Sequence, residues 1–319
     1  MFIGEKMDII DRLDNLCKEI DEKGITVEGI ALMDKDMNVL FQKRWRQDYP
    51  RDIYSNAKSF TSAAVGMAIH DGYLELSDKP YDFFENHVRI AELSNLKKMT
   101  LENLLTMSSG YATEKLMYFD GKKGIGADDY VDYLMNEPVV NEPGAKYLYS
   151  TGDAVLAAAM VEKAVGGSLL KYMYKNLFTE LNMEYPIWET DLSGHYNGGS
   201  GLFFKLTDMM KLGVLYLNNG IINGKHYFDD DWVKKSTECK FVISKPDDSW
   251  SYGYGYFWRI FPDQTTYRAN GVFGQDTIVI PKIDMVIGMQ CAEGTNVNDV
   301  KLLFDKYLFC DLDIVTRKR

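Results

Sequence analysis

The chain has 319 residues, with 47 acidic and 36 basic side chains and a formal net charge of -11. Its 46% hydrophobic and 26% charged residues are typical of a soluble globular protein, long enough for one large domain or two interlocked ones. Nucleic acid is not an expected partner, because phosphate binding needs a basic patch and the Lys and Arg residues are scattered.

The cysteines and the N-terminus bear on cofactors and location. Cys17, Cys239, Cys291 and Cys310 lie far apart, so their spacing indicates neither a metal site nor a disulfide framework, and no cofactor is expected. The N-terminus lacks the features of a signal peptide, and no apolar run is long enough to span a bilayer. We therefore expect a cytoplasmic protein without a membrane partner, whose oligomeric state the sequence leaves open.

Strand patterns occur at both ends of the chain, with helical patterns between them. Helical periodicity predicts an amphipathic helix over residues 5–23, and the runs ITVEGIALMD and NVLFQKRW predict a β-hairpin. Helices follow in MTLENLLTMSSG, DDYVDYLMN, GDAVLAAAMVEKAVGG and LTDMMKLGVLYLNNG, the last with Thr207 as its N-cap. The runs SYGYGYFWRIF, TTYRANGVFGQDTIVIP and DMVIGMQCAEG then predict strands, and NVNDVKLLFDKYLFC predicts a closing helix.

Segregated strands and helices favour an α+β fold over alternating βαβ units. We expect one antiparallel sheet built from both chain termini and flanked by helices, with a large all-helical insertion. The predicted domains are a discontinuous sheet domain, residues 1–57 and 240–319, and a mainly helical domain, residues 58–239. A cleft between them is the expected ligand site.

A Ser-x-x-Lys pattern can place a nucleophile beside its activating amine. The chain has three such pairs: Ser55/Lys58, Ser94/Lys97 and Ser168/Lys171. Ser94 lies in a polar stretch, and Ser168 is explained as a helix N-cap. Ser55 precedes an apolar helix, so Lys58, on the same helix face, is expected to be buried beside it. The local sequence leaves open an ordinary N-cap at Ser55 with Lys58 reaching solvent.

A serine nucleophile needs a base and a site for the developing oxyanion. A lysine serves as base when its pKa is drawn toward neutrality, and a phenol beside an ammonium can share its proton. Tyr149, in PGAKYLYSTGDAV, is the candidate phenol, with an ordinary core aromatic as the alternative. In ANGVFGQDTIVIP, Gly271 and Gly274 let backbone approach a ligand, so that N–H groups there and at Ser55 can hold an oxyanion; a tight turn is the alternative.

Taken together, these segments resemble the serine β-lactamase and penicillin-binding-protein superfamily. The class C β-lactamase-like serine hydrolases are most similar, a group with esterases, D-amino-peptidases and 6-aminohexanoate-dimer hydrolases. The matching segments occur in order over residues 25–310: IYSNAKSFTSAAVGMAIHDGYLELSD, MTLENLLTMSSGY, PGAKYLYSTGDAVLAAAMVEKAVG, SGLFFKLTDMMKLGVLYLNNGIINGKHYFDDDWVKKST and ANGVFGQDTIVIPKIDMVI. This ordered agreement is more specific than any single motif.

The resemblance implies a role for each matching residue. Ser55 becomes the acylated nucleophile, Lys58 its activating neighbour and Tyr149 the general base coupled to Lys58. The resemblance implies the N–H groups of Ser55 and Val272 as oxyanion donors. The other oxyanion or substrate-binding positions are Thr151, Asn270 and Gly271. Which of Lys58 and Tyr149 takes the proton in each step stays open, because coupled groups titrate as a unit.

Two departures from the family pattern bear on the substrate. Thr151 stands where the second motif often has Asn, and Ala269-Asn270-Gly271 carries no cation where the third motif often has Lys or His. β-Lactams and D-Ala-terminated peptides carry a carboxylate, so the uncharged form favours a small ester or a linear amide. The alternatives are a β-lactamase or D-Ala-D-Ala carboxypeptidase, and a non-catalytic binding module on the same fold. No Gly-x-Ser-x-Gly elbow supports an α/β-hydrolase, although His195 is a candidate for the rim of the cleft.

Overall fold

The computed structural model describes residues 2–117, 128–244 and 248–315, with side chains described from residue 9 onward. The α-helices of these ranges are α1 (Phe2–Lys23), α2 (Ala57–His70), α3 (Pro80–Phe84), α4 (Leu101–Leu105), α5 (Tyr130–Met135), α6 (Thr151–Val165), α7 (Leu169–Met173), α8 (Leu206–Leu217), α9 (Trp232–Thr237) and α10 (Val297–Phe304). The strands are β1 (Val27–Asp34), β2 (Val39–Arg44), β3 (Arg51–Asp52), β4 (Ile187–Trp188), β5 (Leu202–Phe204), β6 (Ile221–Ile222), β7 (Lys225–His226), β8 (Phe241–Val242), β9 (Gly253–Tyr254), β10 (Arg259–Ile260), β11 (Tyr267–Gly271), β12 (Gln275–Ile280) and β13 (Met285–Cys291). None of the helices in these ranges has both the length and the apolar character needed to cross a bilayer.

Eight strands form one sheet in the order β2-β1-β13-β12-β11-β10-β9-β8. All neighbouring strands pair antiparallel. The N-terminal hairpin β1–β2 joins the C-terminal strands through the β1–β13 pair. The predicted α+β fold, with an antiparallel sheet drawn from both chain termini and helices around it, is therefore confirmed.

Both faces of the sheet are buried, and alternating side chains serve two separate apolar clusters. On β1, Ile30 and Leu32 pack into the cluster that includes residues of α1 and α10. Ala31 and Met33 point the other way, into the cluster formed with α2, α6 and α8. Because successive side chains of a strand lie on opposite faces, this central strand is buried along its whole length.

Three local predictions differ from the structure. The run MTLENLLTMSSG forms only the short helix Leu101–Leu105, and Met107 beyond it has a left-handed φ of 57°. Helix α8 begins at Leu206 after Lys205, so the predicted Thr207 N-cap is wrong. The run SYGYGYFWRIF is not one strand: β9 and β10 are separated by a bend at residues 256–257, where Phe257 has a left-handed φ of 61°. A Cβ at Gly255, just before this bend, would lie 2.2 Å from the Ser236 carbonyl oxygen.

The division into a sheet domain and a helical domain stays a prediction. Helix α8 belongs to the predicted helical part, yet it packs directly on the sheet. A Cβ at Gly213 of α8 would lie within 3.2 Å of Val286 and Val279 side chains, and a Cβ at Gly288 of β13 would lie 2.4 Å from Met210. The two predicted parts therefore share one of the two apolar clusters.

Candidate active site

Ser55 lies in a single 3-10 turn, Tyr54–Asn56, that leads directly into α2. Tyr54 adopts a left-handed φ of 48°, an uncommon conformation for an aromatic residue that costs about 1–3 kcal/mol. The Asp52 carboxylate accepts a hydrogen bond of 2.7 Å from the Tyr54 N–H and so holds this turn. Burial raises the pKa of Asp52 to about 6, although its backbone hydrogen bonds oppose the rise. The result is a strained turn that presents a half-buried serine.

Three contacts fix this turn against the β11–β12 hairpin. The buried Asn56 side chain donates to the Ala269 and Gln275 carbonyl oxygens, both at 3.2 Å. Gly271 lies so close that a Cβ there would be 2.2 Å from the Ile53 carbonyl oxygen. The Tyr54 and Phe273 rings meet edge to face, with centroids 5.5 Å apart. The position of the serine is thus tied to the strand that carries residues 269–271.

Lys58, on the first turn of α2, is only 1% exposed. Its ammonium nitrogen has three acceptors: Ser55 Oγ at 3.1 Å, Thr151 Oγ1 at 3.2 Å and the Gly199 carbonyl oxygen at 2.8 Å. These satisfy the donors of a group that would otherwise be costly to bury. The alternative in which Lys58 reaches solvent is therefore wrong, and Ser55 is not a side-chain cap of the helix.

Tyr149 immediately precedes the N-cap residue of α6 and faces the same lysine. Lys58 Nζ lies 5.0 Å from the centroid of the Tyr149 ring. A second cation, Arg259 of β10, lies over the same ring, with its guanidinium carbon 5.4 Å from the centroid. Ser55, Lys58 and Tyr149 therefore form one cluster, although Tyr149 is far from the other two in sequence.

The electrostatics of this cluster favour proton exchange. Burial lowers the pKa of Lys58, against the attraction of Tyr149. Burial alone would raise the pKa of Tyr149, but the charges of Lys58 and Arg259 and hydrogen bonds with Ser55 and Lys58 hold it below its ordinary value. Both groups are thus moved toward the range in which a base works at neutral pH.

A cavity of about 270 Å³ lies beside Ser55. Its lining includes Ser55, Tyr149, Thr151, Asn270, Val272 and Arg259. Val272 is 37% exposed and follows β11 at the start of the hairpin turn. Ser55 and Val272, the two residues expected to supply oxyanion N–H groups, thus face one space.

Other predicted site residues have neighbours that the sequence did not indicate. The Thr151 hydroxyl contacts Lys58, so it helps to position the amine. Gly271 permits close approach to the carbonyl of Ile53, two residues before Ser55. The Asn270 side chain donates to Asp276 at 2.9 Å while it lines the cavity.

Two residues that contact the Ser55–Lys58–Tyr149 cluster, Gly199 and Arg259, were not predicted from the sequence. Gly199 places its carbonyl on Lys58, and a Cβ at this residue would lie 2.8 Å from Thr151 Cγ2 and 3.0 Å from Lys58 Nζ. The glycine-rich run NGGSG around Gly199 is the sequence feature that could have indicated a close backbone approach there. Arg259 lies in the aromatic run SYGYGYFWRIF, whose alternating pattern predicts one half-buried strand. The turn between β9 and β10 instead brings it over Tyr149.

The other candidates lie elsewhere. Ser94 is exposed in a turn, and Ser168 caps α7 by accepting from the Lys171 N–H, as predicted. His195 lies 3.7 Å from Asp129 and 4.0 Å from Glu162, and it does not line the cavity beside Ser55. In the ranges that the structure describes, no group of three or more His, Cys, Asp or Glu side chains is placed to hold a metal ion.

The antiparallel sheet with helices around it is similar in fold to solved structures of β-lactamase and penicillin-binding-protein homologues. The family model described as Beta-lactamase matches residues 19–305, which is most of the chain. The chain therefore belongs to the Beta-lactamase family, and the superfamily predicted from its motifs is confirmed.

Individual relatives are distant. A protein named "Putative D-alanyl-D-alanine carboxypeptidase" from Escherichia coli strain K12 is 21% identical over 298 residues, covering 75% of this chain and 68% of that protein. The structure named "Putative 6-aminohexanoate-dimer hydrolase from Bacillus anthracis" has 18% identity and a TM-score of 0.74, covering 94% of this chain and 82% of the other. "EstCE1, a hydrolase with promiscuous acyltransferase activity" has 13% identity and a TM-score of 0.74, covering 96% and 99%. At these identities the structural likenesses establish a shared fold.

Proposed function

We propose that the protein hydrolyses a small ester or a linear amide through an acyl-enzyme on Ser55. The observation that carries this proposal is the placement of a buried Lys58 amine 3.1 Å from the Ser55 hydroxyl, beside Tyr149. A serine hydroxyl becomes an effective nucleophile when a neighbouring group takes its proton.

The coupled Lys58–Tyr149 pair takes the Ser55 proton as Oγ attacks the substrate carbonyl. The N–H groups of Ser55 and Val272 stabilise the oxyanion in the tetrahedral intermediate. When the bond to the leaving group breaks, the pair returns the proton to the leaving oxygen or nitrogen. Water then attacks the acyl-Ser55 carbonyl, with the same pair taking the water proton and returning it to Oγ. Whether lysine or phenol holds the proton at each stage is a property of the pair.

The cavity size supports a small substrate. About 270 Å³ is near the lower end of ligand pockets, and the lining combines apolar Val272 and Met117 with hydroxyl groups such as that of Ser200. The structures of similar fold named above include a protein described as a putative 6-aminohexanoate-dimer hydrolase and a hydrolase with promiscuous acyltransferase activity, which is consistent with ester or amide chemistry. A cytoplasmic location stays a prediction, to be checked by cell fractionation.

A panel of chromogenic compounds tests the proposal. We expect turnover of 4-nitrophenyl acetate and butyrate that is lost in Ser55→Ala and retained in Ser94→Ala, a matched exposed serine with the same spacing to a lysine. Wild-type protein that turns over none of the panel would refute the proposal.

The same panel separates the alternatives. A β-lactamase would hydrolyse a chromogenic cephalosporin more efficiently than the simple esters. A D-Ala-D-Ala carboxypeptidase, the activity for which the Escherichia coli relative is named, would release D-alanine from an acyl-D-Ala-D-Ala peptide more efficiently than it hydrolyses those esters. A binding module would show no turnover of any member, and Ser55→Ala would leave its ligand binding unchanged.

A further inference from the structure

Met117 differs from most methionines of the chain because solvent can reach its side chain. The structure describes the side chains of the methionines from Met33 to Met289, and among these only Met37 and Met117 are not buried. Met37 lies between β1 and β2 and lines a separate cavity of about 450 Å³, whereas Met117 lines the cavity beside Ser55. Because an oxidant must reach the sulfur from solvent, these two thioethers should react before the buried ones.

One hydroxyl connects the sulfur of Met117 to the Lys58 amine. Thr151 Oγ1 donates to Met117 Sδ at 3.7 Å and accepts from Lys58 Nζ at 3.2 Å. A threonine hydroxyl has a single hydrogen to donate. When that hydrogen points to the sulfur, the oxygen lone pairs are left to face the ammonium. The chemical state of Met117 therefore bears directly on a contact of Lys58.

We propose that Met117 is a site of reversible oxidation to the sulfoxide by hydrogen peroxide or an organic hydroperoxide, and that this modification lowers the reactivity of Ser55. The inference rests on the proposed function, because it names a regulation of the same site. A lone pair of Sδ attacks one peroxide oxygen, the O–O bond breaks, and the released hydroxide or alkoxide takes the proton of the new S–OH group. The sulfur loses two electrons and the peroxide gains them, giving water or an alcohol. Two thiols reverse the step through a methionine sulfoxide reductase, with a disulfide and water as the other products.

The added oxygen changes the surroundings of the amine in two ways. A thioether sulfur is a weak hydrogen-bond acceptor, whereas a sulfoxide oxygen is a strong one that competes for the Thr151 hydroxyl and the Lys58 ammonium. An acceptor on the ammonium favours its charged form and so raises the pKa of Lys58, against the effect of burial. The oxygen also takes space in a cavity of only about 270 Å³. Both changes oppose removal of the Ser55 proton.

The test treats the folded protein with graded hydrogen peroxide, removes the excess with catalase and follows each methionine by peptide mapping. We expect Met117 and Met37 to gain one oxygen before the buried methionines do. The rates of 4-nitrophenyl acetate hydrolysis and of fluorophosphonate labelling at Ser55 should both fall at least about tenfold as the Met117 sulfoxide accumulates, the effect of one hydrogen bond to a charged group. Methionine sulfoxide reductases that act on the two sulfoxide epimers should restore both rates.

Two conservative variants assign the effect to one sulfur. Met117→Leu removes the oxidisable atom at nearly constant volume, so peroxide should leave its rates unchanged from their untreated values. Met37→Leu is the matched control, because it removes the other partly exposed thioether, which lies outside the cavity beside Ser55, and it should lose activity as wild type does. Both variants keep the partly exposed Cys239 and Cys310, so thiol oxidation cannot produce a difference between them.

Inactivation that persists in Met117→Leu would overturn the proposal, as would full reactivity of Ser55 in protein whose Met117 is oxidised. Oxidation of Met117 no faster than that of the buried methionines, or rates that the reductases leave low, would also contradict it. The proposed function is decided before any oxidant is added, by ester turnover that requires Ser55. If untreated wild type hydrolyses no ester, the proposed function fails, and the peptide map with the labelling rate at Ser55 decides the inference separately. Wild type that is not labelled at Ser55 either would end both.

Discussion

Replacing Gly271 with Ala should impair catalysis more than folding. The new Cβ would lie 2.2 Å from the Ile53 carbonyl oxygen, whereas ordinary contact begins at 3.4 Å, so the two backbones must separate by about 1.2 Å. Gly271 directly precedes Val272, whose N–H is the proposed oxyanion donor, and Ile53 lies two residues before Ser55. A shift of about 1 Å between the nucleophile and an oxyanion donor costs roughly 100-fold in rate. We therefore expect kcat/KM to fall by about this factor.

The assay is 4-nitrophenyl acetate hydrolysis, with the thermal midpoint of unfolding measured in parallel by circular dichroism. Gly167→Ala is the matched control, because a Cβ there has no atom within 4 Å and the backbone φ is not left-handed. We expect it to keep full activity and to gain about 0.4–1 kcal/mol in the free energy of unfolding. Wild-type kcat/KM in Gly271→Ala would refute the reasoning that this glycine sets the distance between Ser55 and the hairpin.

Three further predictions concern the charges of the site. Lys58→Met and Tyr149→Phe should each lower kcat/KM on neutral esters by roughly 100- to 10,000-fold, the usual contribution of a proton-transfer group, and near-normal rates in Tyr149→Phe would exclude the phenol from proton transfer. In the proposed mechanism the working base is the deprotonated form of the Lys58–Tyr149 pair, so kcat/KM should fall as pH decreases through the apparent pKa of the pair. Both pKa values are lowered, so this midpoint should lie below 10, and a rate that rises on acidification would contradict the assignment. Burial raises the pKa of Asp153 from 3.8 to about 8, so the folded state binds a proton that the unfolded state releases, and this carboxyl makes stability decline as pH rises from about 4 to about 8. Asp153→Asn, which can still accept from Ser109, should therefore raise the melting temperature more at pH 8 than at pH 5; an equal change at both pH values would show that Asp153 does not titrate in that range.

The proximity of Ser55 and Lys58 could be predicted because the two residues lie within one turn of each other at the start of α2. Ser55 and Lys58 are three residues apart, and the small and apolar residues that follow predict the burial of that helix, so the pair is drawn inward together. The antiparallel sheet was also predictable, because strand patterns stand at both ends of the chain and the helical patterns lie between them. The segment PGAKYLYSTGDAV indicates Tyr149 only as a candidate phenol, with a core aromatic as the alternative, and its role as general base follows only from the ordered resemblance to a known family.

The remaining contacts depend on residues far apart in sequence. Arg259 meets Tyr149 because the chain bends at Tyr256 and Phe257, where Phe257 has a left-handed φ of 61°. The aromatic pattern SYGYGYFW does not indicate this bend. The uncharged run Ala269-Asn270-Gly271 predicts a substrate site without a nearby cation. The structure instead places Arg259 in the wall of the same cavity, beside Asn270. The sequence predicts substrate contact for Thr151, whereas its hydrogen bond with Lys58 depends on the packing of α2 against α6, two helices far apart in sequence.

The central claim is that Ser55, activated by the lysine and phenol beside it, forms a covalent bond with electrophilic acyl or phosphoryl centres. Intact-mass spectrometry after treatment with a fluorophosphonate measures this directly, and peptide mapping locates the adduct. One adduct per chain on the peptide that contains Ser55, absent from Ser55→Ala and present in Ser94→Ala, is the expected result. An unmodified wild-type protein, or an adduct that persists in Ser55→Ala, would contradict the claim.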